Sequence, residues 1–355
     1  MKIFITGICG FAGSALARSL RELIPGSEIS GMDSLSRPGS EINRRSLAAE
    51  GITVRHGDVR CASDFETLPN AGWVIDAAAQ PSVLAGVDGK SSPRQLIEHN
   101  LLGTVNILEY CRRTGAGFTL LSTSRVYSIA GLTALTLRQN GQRFAPDFSA
   151  GDIPGCSCQG IQEPFSTAAP VSLYGSTKLA SEALALEYGA AFAFPVFVLR
   201  CGVLAGAGQF GTAEQGIFSW WVHAWKRKRP LRYIGYGGEG HQVRDALHPD
   251  DLARLVAMQI QSPSSKTARI LHASGGLENS MSLAELSAWC MARFGPHQVT
   301  ADETPRPFDI PWLILDSTAT ARAWNWRPQR SLPSILEEIA QHAEANPGWL
   351  DLAGS

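Results

Sequence analysis

The chain opens with the stretch KIFITGICGFAGSALARSL, residues 2–20. Its first five residues are rich in β-branched and aromatic side chains, which favours a strand, and its last seven carry apolar residues at helical spacing. Gly7, Gly10 and Gly13 lie between these two segments. Such a turn lets the backbone approach a pyrophosphate at the helix N-terminus, and the last glycine lets the helix pack on the sheet. The stretch predicts an α/β fold with a dinucleotide site that includes Phe11 as well as the three glycines.

A carboxylate follows the second predicted strand at the spacing expected for ribose recognition. Asp33 ends that strand about twenty residues after the glycine turn, where a carboxylate accepts hydrogen bonds from an adenosine ribose. Because its charge would repel a 2′-phosphate, NAD is favoured over NADP. Arg37 leaves NADP open as the alternative, since it could reach such a phosphate if the loop folded back.

Later strands add candidate contacts to the rest of the dinucleotide. Asp58 follows an apolar strand at residues 52–55, where a carboxylate can hydrogen-bond adenine, although a plain surface aspartate is the alternative. The strand at residues 73–76 runs into small side chains that leave room for the middle of the cofactor. The candidate contacts from these two places are Asp58, Val59, Ala78, Ala79 and Gln80.

Strand and helix patterns alternate along the chain, with further strands at residues 118–121 and 196–200. This order predicts a Rossmann-type, doubly wound parallel sheet followed by a smaller C-terminal α/β lobe for the substrate. We expect the segment at 128–172, rich in Gly, Pro and Ser, to be a surface lid or an oligomer contact. The expected boundaries are 1–200 with 241–272 for the NAD-binding domain, which carries that insertion, and 201–240 with 273–345 for the substrate lobe.

Three residues have the types and spacing of a hydride-transfer site. Thr123 lies just past the carboxyl end of a predicted strand, where ligands bind in such sheets. Tyr174 and Lys178 are one helical turn apart and project from one helix face. A free phenol has a pKa of about 10, and a lysine ammonium nearby would lower it by favouring the phenolate. We expect Tyr174 to act as the base, Thr123 to hold the substrate oxygen and Lys178 to bind the nicotinamide ribose.

These motifs resemble those of the extended short-chain dehydrogenase/reductase family, specifically its NAD-dependent nucleotide-sugar epimerases and dehydratases. Residues 100–109 are similar to the family's helix beside the active site and add Asn100 as a cofactor contact. Residues 242–252, which include His248, resemble the segment in which an arginine, here Arg244, grips the substrate diphosphate. The resemblance implies NAD as the cofactor and a nucleotide sugar as the substrate.

The residues beside Thr123 discriminate among activities within that family. The 4,6-dehydratases that this chain resembles need an aspartate and a glutamate there to eliminate water. This chain has Ser124 and Arg125, which cannot act as a carboxylic acid and base pair. The comparison therefore disfavours dehydration and favours epimerisation by oxidation and re-reduction.

Residues 78–82 and 208–221 are similar to the members of the family that invert C2 of a CDP-hexose. That likeness implies transient oxidation at C2, with Arg244 holding the diphosphate as a pivot. A structural ion pair of Arg244 with Asp245 or Asp250 is the alternative. The candidate substrate contacts are Ser124, Arg125, Gln209, Gln215, Arg244 and His248.

The composition is that of a globular enzyme. The 355 residues are 44% hydrophobic and 18% charged, with a net charge of −1, so that nothing calls for nucleic acid or a membrane. One residue precedes the first strand, which predicts no cleavable leader and a cytoplasmic location. Seven cysteines are an odd number without metal spacing, so we expect reduced thiols and no metal. The resemblance implies a homodimer or homotetramer.

Two other classes of function remain open at the level of sequence. A UDP-hexose 4-epimerase or a nucleotide-sugar ketoreductase shares the same triad and differs in which sugar carbon faces the nicotinamide. A regulatory or scaffold protein could bind NAD merely to complete its fold. That last interpretation predicts that replacing Tyr174 leaves function untouched.

Overall fold

The computed structural model describes residues 1–149, 151–263 and 268–352. Its strands are β1 (Lys2–Thr6), β2 (Glu28–Asp33), β3 (Thr53–His56), β4 (Trp73–Asp76), β5 (Gly117–Thr123), β6 (Leu137–Asn140), β7 (Arg143–Pro146), β8 (Cys156–Ser157), β9 (Gly160–Ile161), β10 (Val196–Cys201), β11 (Val203–Leu204), β12 (Leu231–Ile234), β13 (Val243–Leu247), β14 (Ile270–Ala273), β15 (Ser280–Ser282), β16 (Val299–Asp302) and β17 (Trp312–Leu313). Its helices are α1 (Phe11–Leu23), α2 (Ser40–Ala49), α3 (Pro93–Ile97), α4 (Gly103–Thr114), α5 (Ile129–Thr133), α6 (Ser172–Phe192), α7 (Ile217–Lys226), α8 (Pro249–Gln261), α9 (Leu283–Phe294), α10 (Thr318–Trp324), α11 (Leu332–Ala345) and α12 (Trp349–Leu352). None of the described helices has the length and apolar character needed to cross a membrane.

Seven strands form one parallel sheet in the order β14-β10-β5-β4-β1-β2-β3. Strands β2 and β3 follow β1 on one side of it, and β4 lies on the other side of β1. The turns after β1 and β4 therefore diverge at a topological switch point, where doubly wound sheets bind their ligands. The predicted fold class is confirmed.

The core of this sheet follows from the two-residue period of its strands. Ile3 and Ile5 of β1 pack into a buried cluster with α1 and α8, whereas Phe4 packs into a second cluster with α4 and α6. Successive side chains of a strand point to opposite faces, so that β1 is buried on both sides by helices.

A second, smaller sheet lies beyond the first. It has the order β11-β13-β15, and β17 pairs with β13. The expected boundary at residue 241 is wrong for β13, because this strand belongs to the second sheet. The return to the cofactor-binding part begins with α8, which packs on α1, and is completed by β14 at the edge of the large sheet.

Part of the segment at 128–172, expected to be a surface lid or an oligomer contact, packs into the core. It contains α5 and the hairpins β6–β7 and β8–β9. Leu132 and Ile161 are fully buried in a cluster with Leu313 and Leu315, and the Ile161 N–H donates to the Ile314 carbonyl over 2.7 Å. The few apolar residues of this otherwise polar segment pack against β13, β17 and the turn that follows β5.

Candidate active site

A cavity of about 620 Å³ opens at the carboxyl ends of β1, β2, β4 and β5. Residues after these strands line one side, and residues of β12, β13 and the segment 306–309 line the other. The cavity therefore lies between the two parts of the fold, where α/β proteins bind their ligands. Its lining includes the predicted residues Gly7, Gly10, Phe11, Gly13, Asp33, Arg37, Val59, Ala78, Ala79, Thr123, Ser124, Arg125, Tyr174, Lys178, Gln209, Gln215 and Arg244.

The three glycines of the first turn serve different purposes. Gly7 has φ +65°, and a Cβ there would come within 2.8 Å of the Ala78 Cα. A Cβ on Gly13 would lie 2.2 Å from the Gly7 carbonyl oxygen. A Cβ on Gly10 would meet that same oxygen at 3.2 Å and no other atom within 4 Å among the described residues. Gly7 and Gly13 are thus required by packing inside the protein, while Gly10 leaves room for a ligand at the N-terminus of α1.

Asp33 presents a carboxylate that is already oriented. Its Oδ2 accepts from the Cys9 N–H over 2.9 Å and its Oδ1 from the Leu35 N–H over 2.8 Å. Burial raises the pKa of Asp33, and these two backbone N–H groups oppose that effect. Since each oxygen keeps a further lone pair, the group can also accept hydrogen bonds from a ribose.

The Arg37 side chain forms hydrogen bonds within the protein, away from the position that a 2′-phosphate would require. Its guanidinium donates to the Gln215 Oε1 over 2.8 Å and to the Phe210 carbonyl over 2.6 Å. It ties the loop after β2 to the loop that precedes α7. With the carboxylate of Asp33 beside it, this arrangement fits NAD and not NADP.

Two predicted contacts, Asp58 and His248, do not line the cavity. The Asp58 carboxylate forms an ion pair with Arg60 over 2.6 Å. His248 caps α8 and lies between Asp250 and Glu338, at 3.3 Å and 3.2 Å. An adenine contact by Asp58 stays a prediction, and the geometry does not support a substrate contact by His248.

Asn100 and Gln80 shape the cavity wall without lining it. The Asn100 Oδ1 accepts from the Gln80 N–H over 2.8 Å, and its Nδ2 donates to the Gln80 carbonyl and to the Thr177 hydroxyl over 3.2 Å each. Asn100 lies in a π-helical segment, Glu98–Leu102, that joins α3 to α4. It fixes the loop after β4 against α6, the helix that carries Tyr174.

The structure brings Thr123, Tyr174 and Lys178 together at one wall of the cavity. Thr123 is the last residue of β5, and its hydroxyl is one of the groups that lower the pKa of the Tyr174 phenol. A Cβ on Gly175 would lie 2.4 Å from the Arg125 carbonyl oxygen. The absence of a side chain at residue 175 therefore lets the start of α6 lie directly against the turn that follows Thr123.

The pKa shifts at this wall differ from the expectation that the Lys178 ammonium lowers the pKa of the Tyr174 phenol. Burial raises the pKa of the Tyr174 phenol to about 12, while the Thr123 hydroxyl and the charge of Arg125 lower it. Among the described residues, Lys178 is not one of the groups that shift this pKa. Burial lowers the pKa of Lys178, and the charge of Asp76 opposes that shift.

Lys178 as a whole residue is 2% exposed, and its ammonium has no hydrogen-bond partner within the described ranges of the chain. Burying an ammonium without a partner is costly, because its three donors lose their hydrogen bonds to water. Since Lys178 lines the cavity, a ligand with acceptor oxygens would satisfy it. The hydroxyls of a nicotinamide ribose have this property, so the site fits NAD on chemical grounds.

Two residues that the sequence analysis missed complete the opposite wall. Arg306 and Asp309 follow β16 in a proline-rich loop and line the cavity beside Arg244. Asp309 Oδ1 lies 3.6 Å from an Arg244 nitrogen, so the alternative that pairs Arg244 with Asp245 or Asp250 names the wrong carboxylate. In the sequence, Arg306 and Asp309 lie among prolines, which is the one local feature that could have drawn attention to them. The spacing of these residues does not indicate which strand end they approach.

His99 is a further cavity residue that was missed. It precedes Asn100, and its Nδ1 is buried without a hydrogen-bond partner in the described part of the chain. Burial lowers the pKa of His99, so the ring is neutral and can accept or donate one hydrogen bond to a ligand. No periodicity distinguishes it from a surface histidine of a helix.

A glycine turn at the switch point, a ribose-binding carboxylate and a threonine–tyrosine–lysine group in one cavity define an NAD-dependent enzyme of the dehydrogenase type. Comparison with known proteins agrees. The model of the NAD dependent epimerase/dehydratase family matches residues 3–272. The chain therefore belongs to that family, as its motifs indicate.

Individual relatives cover nearly the whole chain. A CDP-paratose 2-epimerase of Salmonella typhi is 30% identical over 96% of this chain and 98% of its own length. A dTDP-glucose 4,6-dehydratase of Streptomyces niveus is 26% identical over 98% and 94%. A UDP-glucuronic acid 4-epimerase of Bacillus cereus, solved with NAD, has a TM-score of 0.77 and 21% identity over 97% and 99%. The last likeness confirms the fold.

Proposed function

We propose that this protein is a nucleotide-sugar epimerase that inverts C2 of a CDP-hexose of the CDP-paratose/CDP-tyvelose type. The observation that carries the proposal is the meeting of Thr123, Tyr174 and Lys178 in one cavity with Ser124 and Arg125 beside them. The 30% identity to a CDP-paratose 2-epimerase supports the choice of carbon and nucleotide.

The residues of the triad divide the work of the reaction. Tyr174 removes the proton of the sugar hydroxyl and later returns it, and the Thr123 hydroxyl holds the same oxygen in both its alcohol and ketone states. Lys178 donates hydrogen bonds to the nicotinamide ribose and so orients the cofactor. NAD, which Lys178, Asp33 and the glycine turn would hold, would supply a hydride acceptor and donor for the sugar carbon.

Inversion requires the sugar to turn while the rest of the substrate stays in place. Arg244 and Arg306 line the wall opposite the triad, and Asp309 balances one of their charges. Guanidinium groups bind phosphate oxygens by charge-assisted, often bidentate hydrogen bonds. We assign these two arginines to the diphosphate, which serves as the pivot about which the oxidised sugar rotates.

Dehydration is disfavoured by the carboxyl groups near the cavity. Among the described residues that line it, the acids are Asp33, Glu214 and Asp309. Asp33 lies after β2, Glu214 pairs with Lys90 over 2.8 Å, and Asp309 lies beside Arg244. This arrangement provides no acid and base pair next to Thr123, so the oxidised sugar is set up to be reduced again.

We further infer a cytoplasmic homodimer or homotetramer. The resemblance of the motifs to the short-chain dehydrogenase/reductase family supports this assembly. Ile97 and Leu102 are 44% and 43% exposed beside α4, and Phe192 is 49% exposed at the end of α6. Light scattering of the purified protein measures the oligomeric state directly.

The test is to incubate purified protein with CDP-paratose, CDP-glucose or UDP-glucose, without added cofactor, and to follow the sugar protons by NMR. We expect a C2 epimer to form from a CDP-sugar and not with Tyr174→Phe. Conversion at C4 of UDP-glucose would favour the 4-epimerase instead. Activity that persists in Tyr174→Phe would overturn the assigned chemistry.

A further inference from the structure

The loop that precedes α7, residues 208–216, forms part of the cavity wall, and we call it the bridging loop. Gln209 and residues 213–216 line the cavity. Two backbone hydrogen bonds between Thr212 and Gln215, of 2.7 Å and 3.1 Å, close the loop into a tight turn. Two of the predicted substrate contacts, Gln209 and Gln215, belong to this loop, so its position determines where they lie.

The guanidinium of Arg37 connects the bridging loop to the loop after β2. Arg37 follows the ribose-binding candidate Asp33 by four residues and lines the same cavity. It donates to the Gln215 Oε1 over 2.8 Å and to the Phe210 carbonyl over 2.6 Å. Both acceptors lie far along the chain, 178 and 173 residues away. One side chain thus joins a predicted cofactor loop to a predicted substrate loop.

The same two loops also pack directly against each other. Gly39 has φ +90°, and a Cβ there would lie 2.3 Å from a carbon of the Phe210 ring. Phe210 is buried, and its ring stacks on Trp349 of α12 with 5.0 Å between the ring centroids. Because protein interiors are close-packed, a shift of the loop after β2 must disturb the bridging loop.

Further contacts reach the bridging loop from other sides of the cavity. The Glu214 carboxylate pairs over 2.8 Å with Lys90, which lies in the segment after β4, and Arg306 donates to the Ala213 carbonyl over 3.2 Å. Both contacts are exposed to solvent, where such interactions contribute little. The two hydrogen bonds of Arg37 are partly buried, so Arg37 is the better shielded connection.

We propose that Arg37 is a positioning residue that couples the NAD site to the nucleotide-sugar site. When NAD at Asp33 holds the loop after β2, Arg37 holds Gln215 and the bridging loop in place for the substrate. Coupling between two binding sites is reciprocal, so a nucleotide bound against the bridging loop also retains NAD. The inference rests on the proposed function, in which release of the cofactor between the two hydride transfers would leave a stranded ketone.

The experiment measures how fast NAD leaves the diluted holoenzyme, with and without CDP or UDP. In the wild-type protein we expect nucleotide to slow the release about fivefold or more. Arg37→Met donates no hydrogen bond, so nucleotide should change its rate by less than about twofold. Arg37→Lys reaches one acceptor at a time and should give an intermediate ratio. Arg18→Met is the matched control, because Arg18 is partly buried and contacts Glu50 over 2.9 Å, and it should keep the wild-type ratio.

The ratio of the two release rates separates coupling from stability. A residue that only stabilises the fold would change the melting temperature and both rates, but not their ratio. An unchanged ratio in folded Arg37→Met overturns the proposal, and so does a wild-type protein in which neither nucleotide slows the release. If UDP slows the release and CDP does not, the role of Arg37 is supported and the proposed CDP-hexose substrate is contradicted.

Discussion

Glu182 and Arg200 form a buried two-pronged ion pair beside the reaction centre. Arg200 Nε lies 3.1 Å from Glu182 Oε1 and Nη2 lies 2.7 Å from Oε2, and the two side chains are 7% and 4% exposed. Glu182 follows Tyr174 by two helical turns and Lys178 by one on α6, and Arg200 belongs to β10. The pair therefore sets the rotation of α6 about its axis and directs Tyr174 and Lys178 into the cavity.

Breaking this pair should destabilise the fold strongly. In Glu182→Gln the guanidinium of Arg200 stays buried without its counter-charge, at an expected cost of about 3–5 kcal/mol in the free energy of unfolding. Urea denaturation measures the change. The control is Glu28→Gln, which removes the exposed partner of Lys2 at 3.7 Å and should cost less than about 1 kcal/mol. Equal effects of the two substitutions would contradict the account.

Alanine substitutions at two glycines of the first turn should have different effects, one on stability and the other on NAD binding. Gly13→Ala places a Cβ against the Gly7 carbonyl and should destabilise the protein by several kcal/mol. Gly10→Ala meets little protein, so we expect a nearly unchanged melting temperature and a loss of bound NAD. Thermal unfolding and the NAD content after gel filtration are compared for both. Retention of NAD by Gly10→Ala would show that the ligand does not approach this position.

Lys178 and Tyr174 should differ in what they contribute. Lys178→Met removes the unpaired ammonium from the cavity, so NAD should bind at least tenfold more weakly and catalysis should fall. Tyr174→Phe should abolish catalysis and leave NAD affinity within about twofold, since the phenol is assigned to the substrate. Calorimetric titration of NAD distinguishes the two variants. The assignment of Lys178 to the cofactor is wrong if its variant binds NAD normally.

The stability of the protein should depend on pH through His248. Burial lowers the pKa of His248, but hydrogen bonds to Asp250 and Glu338 raise it to about 9. Because the folded value lies above the unfolded value of about 6.5, the stabilisation is complete below that value and is lost as the pH rises through about 9. We expect the free energy of unfolding to fall by about 1–2 kcal/mol between these pH values.

His248→Asn tests this origin of the pH dependence. Asparagine still caps the N-terminus of α8 but carries no titrating charge. The variant should be less stable near neutral pH and should lose most of the slope between pH values of about 6.5 and 9. A slope that survives the substitution would assign the pH dependence to other groups.

What the sequence predicted depended on local spacing. The glycine turn, Asp33 and the pair of Tyr174 with Lys178 lie within single strand–turn–helix units, where residue spacing determines geometry. The strand pattern likewise predicted the parallel sheet, because strand and helix patterns alternate along most of the chain. These elements needed no knowledge of distant contacts.

The remaining features depend on contacts between distant segments. Arg306 and Asp309 reach the cavity through the pairing of β17 with β13, which no local pattern indicates. His248 was assigned to the substrate because it follows Arg244 by four residues. However, β13 ends between the two residues, and the His248 ring lies against Glu338 of α11. The burial of part of the segment at 128–172, which was expected to be a surface lid or an oligomer contact, depends on its packing against β17 of the second sheet.

The central claim is that one hydride leaves C2 of a CDP-hexose and returns to the same carbon. The most direct test is to supply CDP-paratose deuterated at C2 to the enzyme in ordinary water and to examine the product by NMR and mass spectrometry. The account predicts a C2 epimer that retains its deuterium at C2. A product that has exchanged the C2 deuterium for a solvent proton would contradict it, because inversion would then proceed by proton loss and not by hydride return.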